Sequence, residues 1–282
     1  MKIKILLSLA VLINLVLIFV IYTSKIDFKK YTGYPQRHGW FEKTFEYNKI
    51  NRDSVFVIMT LGQSSAGNCA KDEYQPTEEV YNYYKGRIYK AVEPLKGTNG
   101  NGGITAWSRL ADRLIKKNVC KKVVIIPIAR GGTSIEFWTN GKGHDLLLNT
   151  LRDLKQKNIK LTHILWHQGE ANNGGNPDVY KNNLESILKT FRDNGQNANL
   201  YCAIATYSAQ SKLIKDNGID YNLQSAQKEF INENEGVFAG ANTDDYINAI
   251  YRYDGQHFSS LGNIKHAELW YSAITTNSDN RY

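Results

Sequence analysis

Between residues 54 and 274 the sequence predicts an α/β domain, a parallel sheet covered on both faces by helices. Three observations lead there. Short β-branched runs alternate with amphipathic stretches five times, the runs are apolar almost throughout, and the polar residues suited to chemistry stand just beyond the ends of those runs. Near-continuous apolar strands belong in sheets buried on both faces. Such sheets bind ligands beyond the carboxyl ends of their strands.

The elements follow in order. Ser54 to Gly62 is the first strand, and its helix runs from Trp107 to Lys117, with Leu110, Leu114 and Ile115 at helical spacing. Val123 to Ala129 is the second strand, with a helix near Asp145 to Lys157; Thr162 to Trp166 is the third, with a helix near Asp178 to Arg192. Leu200 to Thr206 leads to a helix over Leu223 to Asn232, and Gly236 to Gly240 leads to a last helix over Leu261 to Ile274. The intervening segment 69–103 has neither helical nor strand periodicity, is rich in tyrosine, and ends Gly97-Thr-Asn-Gly-Asn-Gly-Gly103. It reads as a long loop or lid, and its glycines lack the lysine and spacing of a phosphate-cradling loop.

Residues 1–30 read as a membrane-spanning segment with basic flanks. From Ile5 to Tyr22 the chain is apolar but for Ser8 and Asn14, and at about 1.5 Å per residue this length nearly crosses a hydrocarbon core of about 30 Å. A cleavable signal peptide is the alternative, although the run ends Phe19-Val-Ile-Tyr22 rather than in small residues. Either reading exports the remainder, anchored on the periplasmic or extracellular side or, after cleavage, secreted. Residues 31–53 read as a linker or, with the aromatics between Tyr31 and Phe45, as a segment that docks on the domain formed by 54–282.

The formal charge of +8 looks basic, but half of it comes from five lysines and one aspartate in the first thirty residues. No basic run with interleaved aromatics suggests a nucleic-acid face. Cys69, Cys120 and Cys202 are odd in number and widely spaced, which argues against a disulfide framework and a zinc site. One bridge with one free thiol stays open, with Cys120 and Cys202 read as small buried residues.

The polar residues at the strand ends carry the functional reading. Asp254-Gly-Gln-His257 follows the fifth strand, and a carboxylate three residues before a histidine can fix the ring's tautomer and orientation. Ser64 and Ser65 follow the first strand after Gly62, where a hydroxyl can be exposed; serines there also cap helices. The sequence fails the G-x-S-x-G elbow, because Gly67 comes one residue late. Gly131-Gly132-Thr-Ser follows the second strand, where the backbone can approach a ligand closely. Trp166-His-Gln168-Gly-Glu170-Ala-Asn172 follows the third, and Gln168 offers an amide donor of the kind that stabilises an oxyanion. His167 reads as a hydrogen-bonded histidine at a strand end.

At these residues the chain resembles the SGNH (GDSL-like) hydrolase superfamily and, within it, the sialate O-acetylesterase-like carbohydrate esterases. Gly62-Gln-Ser64 is similar to that branch's nucleophile block, Gly131-Gly-Thr-Ser-Ile135 to its GGTSI block, Trp166 to Asn172 to its W-x-QGE-x-N block, and Asp254 to His257 to its D-x-x-H block. The resemblance implies a three-layer α/β/α sandwich on a parallel, flavodoxin-like five-stranded sheet. It also implies hydrolysis of O-acetyl esters of a carbohydrate without metal or other cofactor. By position it makes Ser64 the nucleophile, His257 the base and then acid, and Asp254 its orienter. The Ser64 N–H, a glycine N–H at Gly131 or Gly132, and the Gln168 side chain would form the oxyanion hole, with Glu170, Asn172 and Ser65 supporting the site or binding sugar. Ser65 stands where the branch usually has Asn. Two alternatives share these residues: an O-acetyltransferase acting on an envelope glycan, and a membrane-tethered glycan-binding protein without catalysis.

Overall fold

The computed structural model describes residues 42–50, 54–211 and 217–276. The expected membrane segment at 1–30 lies outside these residues; among the described residues no helix is long and apolar enough to cross a membrane. The strands are β1 (Thr44–Phe45), β2 (Val55–Gly62), β3 (Val80–Tyr84), β4 (Arg87–Lys90), β5 (Lys122–Pro127), β6 (His163–His167), β7 (Asn199–Ile204) and β8 (Val237–Asn242). The helices are α1 (Tyr47–Ile50), α2 (Trp107–Lys116), α3 (Glu136–Thr139), α4 (Lys142–Gln156), α5 (Pro177–Asp193), α6 (Tyr221–Glu233) and α7 (Ser260–Thr276).

The strands form one sheet in the order β1-β4-β3-β5-β2-β6-β7-β8. The five predicted strands form a continuous parallel set that runs to the edge strand β8, in the order β5-β2-β6-β7-β8. In chain order this is 2-1-3-4-5, the flavodoxin-like arrangement whose switch point lies where consecutive strands leave β2 on opposite sides.

Alternation along each strand divides the core into two faces. Val57, Met59 and Leu61 of β2, with Val124 and Ile126 of β5, pack with Leu147 and Leu151 of α4 and Leu184 and Phe191 of α5. Ile58, Val123 and Ile125 point the other way, onto Trp107 and Leu110 of α2 and Trp270 and Ile274 of α7. The result is a helix–sheet–helix sandwich. Helix α5 starts where it does because Asn176 accepts hydrogen bonds from the N–H groups of Asp178 and Val179, with Pro177 in its first turn. Asp220 caps α6 in the same way, through the N–H of Leu223.

The sheet departs from the sequence expectation in having eight strands of mixed direction rather than five parallel ones. Part of the expected loop or lid, 69–103, is a hairpin: β3 runs parallel to β5, and β4 antiparallel to β3. Its turn, Lys85-Gly86, has positive φ at both residues, which matches the strand twist. The hairpin shows no alternation because Val80, Tyr81, Asn82 and Tyr83 are all buried, with the Tyr83 hydroxyl donating to Asp153 at 2.7 Å. Within the segment expected to link or dock, β1 adds antiparallel to β4; Phe45 meets Tyr81 edge-on at 5.1 Å and Ile50 is buried. Cys69, Cys120 and Cys202 are all free and buried, so no bridge forms.

Candidate active site

The loops after β2, β4, β5, β6, β7 and β8 bring the site together beside the switch point, at the carboxyl ends of the parallel strands. Strand β2 ends at Gly62 with φ +129°, where a Cβ would stand 1.9 Å from the carbonyl oxygen of His167. Only glycine fits there. The chain then turns through Ser64–Ala66 as a short 3-10 helix, and no described group accepts from the Ser64 N–H. Ser64, Gly131, Gly132, Glu170, Asp254 and His257 line one cleft of about 460 Å³.

The loop after β8 supplies the carboxylate and the imidazole. His257 Nδ1 lies 2.7 Å from Asp254 Oδ2, while Asp254 Oδ1 accepts from the backbone N–H groups of Gln256 at 2.9 Å and His257 at 2.6 Å. Burial opposes ionisation of Asp254, but the His257 ring and these two N–H groups outweigh it and hold the carboxyl below its ordinary value. An ionised acceptor at Nδ1 places the ring hydrogen there and leaves Nε2 with its lone pair. Buried Arg252 holds the loop, donating to the carbonyls of Thr243, Tyr246 and Gln256 and lying 4.0 Å from the Phe258 ring centre.

A second set of polar groups runs inward from Glu170 at the wall of the cleft. Glu170 Oε1 accepts from the Ser65 hydroxyl at 2.7 Å and lies 3.6 Å from His167 Nε2. Burial would raise its pKa, yet His167 and the Ser65 hydroxyl prevail and hold it below the ordinary value. Trp270 Nε1 donates to His266 Nε2 at 2.8 Å. That nitrogen is thus an acceptor, and His167 Nδ1 lies 2.9 Å from it. Burial first, then the charges of His167 and Arg252, keep the His266 pKa well below its ordinary value. Glu170 Oε2 is buried without a hydrogen-bond partner among the described residues.

Ser65, Gln168 and Asn172, predicted at the site, do not line the cleft. Ser65, in place of the usual Asn, is turned onto Glu170. Gln168 was expected to present its amide to an oxyanion, but it is wholly buried. Its Nε2 instead donates to Asn172 Oδ1 at 2.6 Å and reaches Thr133 O and Gln63 Oε1 at 3.3 Å. Asn172 in turn accepts from the Ile135 N–H at 2.9 Å, so this pair ties the loops after β5 and β6 together. The Gly131 N–H is also engaged, donating to Asn99 Oδ1 at 2.8 Å. Sequence reasoning missed Asn99, Arg252 and His266. His266 stands four residues before Trp270 on α7, a spacing that puts both on one helix face.

Comparison with known proteins agrees with this architecture. Residues 54–271 match the family described as carbohydrate esterase, sialic acid-specific acetylesterase. The chain belongs to that family. A search of curated proteins finds no match. Among solved structures, a protein from Arabidopsis thaliana is similar with a TM-score of 0.61 and 16% identity, over 80% of this chain and 99% of that one. A family 3 carbohydrate esterase from Clostridium thermocellum has a TM-score of 0.51 and 13% identity, over 79% and 96%. A carbohydrate acetylesterase from Xanthomonas citri has the same TM-score and identity, over 78% of this chain and 55% of its own. At these identities the likeness is one of fold.

Proposed function

We propose that the protein is a serine esterase that removes O-acetyl groups from a carbohydrate outside the cytoplasm, held to the membrane by residues 1–30. The observation that carries the catalytic reading is the convergence of Ser64 with the Asp254–His257 pair on one cleft at the switch point of the sheet. Membership of a carbohydrate esterase family supports the ester and the sugar. The apolar run of the first thirty residues supports export.

In this reading His257 Nε2 takes the Ser64 proton as Oγ attacks the acetyl carbonyl. The oxyanion is held by the N–H groups of Ser64 and Gly132, because those of Gly131 and Gln168 are engaged elsewhere. The tetrahedral species collapses, His257 returns the proton to the sugar oxygen, and the deacetylated sugar leaves. Water then gives a proton to His257 and attacks acetyl-Ser64, and acetate departs as the serine regains its hydrogen.

Glu170, which stands on the wall of the cleft, contacts the bound sugar. A second cleft of about 690 Å³ shares Cys69 and Asn101 with the first and includes Lys71 and Tyr253, giving room for a neighbouring sugar. The test is acetate release from a panel of O-acetylated glycans and p-nitrophenyl acetate, run beside Ser64→Ala. The reading expects release by the wild type and none by the variant. Equal release by both would overturn it.

A further inference from the structure

We propose that Asn99 is an oxyanion donor of this site, acting through its Nδ2; the inference rests on Ser64 being the nucleophile. Asn99 lines the same cleft as Ser64 and Gly132. Its backbone is clamped from both sides, the N–H donating to Ala129 O at 3.3 Å and the carbonyl accepting from the Asn68 N–H at 2.9 Å. The next residue must be glycine, because a Cβ on Gly100 would stand 1.9 Å from Asn68 O. The loop is therefore fixed between the serine turn and the end of β5.

The side chain is fixed as well. The Gly131 N–H donates to Oδ1 at 2.8 Å, and turning the amide over would set N–H against N–H. Oδ1 is thus held on Gly131, and no described group accepts from Nδ2. Ser64 and Asn99 flank Gly131 closely: the point where a Gly131 Cβ would stand is 3.5 Å from Ser64 Cβ and 3.8 Å from Asn99 Oδ1. A pre-oriented amide donor beside the nucleophile is what a developing oxyanion requires. It supplies the side-chain donor that Gln168, turned inward, does not.

The discriminating variant is Asn99→Asp, which keeps an acceptor for the Gly131 N–H and removes the donor. With the substrate that wild-type protein deacetylates, kcat should fall about 10²-fold or more, as for loss of other oxyanion donors, with KM and melting temperature little changed. Asn99→Ala should lose as much kcat. Inhibition by an anionic tetrahedral phosphonate adduct should weaken in parallel, while binding of the deacetylated sugar stays the same. Were Asn99 only a brace for Gly131, Asn99→Asp would keep wild-type kcat and phosphonate sensitivity while Asn99→Ala lost them, and that pattern overturns the proposal. Ser64-dependent turnover equally fast in both variants overturns it too and leaves the esterase reading standing, whereas wild-type protein that releases no acetate overturns both.

Discussion

Asp254 with His257 and Glu170 with His167 are two carboxylate–histidine pairs with the same three-residue separation, in opposite order along the chain. The first closes to 2.7 Å with side chains 37% and 22% exposed, and the second stands at 3.6 Å with side chains 4% and 0% exposed. In both, the carboxylate is held below its ordinary pKa against the effect of burial. What separates them is access. The His257 ring lines the cleft, open to ligand and solvent, whereas His167 is enclosed by His266, Trp270 and Phe258. Spacing makes a pair; position relative to the strand ends decides whether it can catalyse.

The comparison breaks if the roles are interchangeable, and substitution tests that directly. His257→Gln should lower kcat about 10⁶-fold, by analogy with removal of the base from a serine triad, with a melting temperature close to wild type. Asp254→Asn should cost about 10⁴-fold, because an amide at Nδ1 no longer selects the tautomer that leaves Nε2 free. Acetate release by the purified variants measures both.

At the buried pair the expected effect is smaller and of another kind. Glu170→Gln should raise KM for the glycan about 10-fold while kcat changes little, and should leave KM for p-nitrophenyl acetate near wild type. A loss of kcat as deep as that of Asp254→Asn would mean that Glu170 belongs to the chemistry.

Glu93 sharpens the contrast further. It is a buried carboxyl with no histidine beside it, bonded by the hydroxyls of Thr105 and Ser108, and burial pushes its pKa up to about 7 from an ordinary 4.5. The sign follows from linkage: a carboxyl that holds its proton more tightly when folded stabilises the protein below pH 4.5, and that stability is lost as pH rises through about 7. The whole effect is about 3 kcal/mol at most. Glu170 and Asp254 act in the opposite sense, favouring the fold at neutral pH and losing that contribution under acid. Glu93→Gln should therefore flatten the fall in melting temperature between about pH 5 and 7 and leave turnover unchanged.

The five parallel strands were legible because β-branched, apolar runs bounded by polar strand ends leave few other solutions. The same logic located Ser64, Gly131, Gly132, Glu170, Asp254 and His257 on one edge. The β3–β4 hairpin was not legible, since Val80, Tyr81, Asn82 and Tyr83 are buried in succession, Val80 on one face and both tyrosines on the other, and so show no polar–apolar alternation. Asn99 lay hidden in a glycine-rich run, and its orientation comes from a Gly131 N–H that only the folded chain brings near. Gln168 misled for the complementary reason: its motif position was clear, but the direction of its amide is set by Asn172 and Thr133.

The most direct test of the central claim is to treat the full chain with a fluorophosphonate while following acetate release, and then to map the modified residue by mass spectrometry. The account predicts one adduct, on Ser64, formed in step with loss of turnover and absent from Ser64→Ala. Undiminished acetate release after exhaustive treatment, or inactivation by an adduct on another residue, would contradict it.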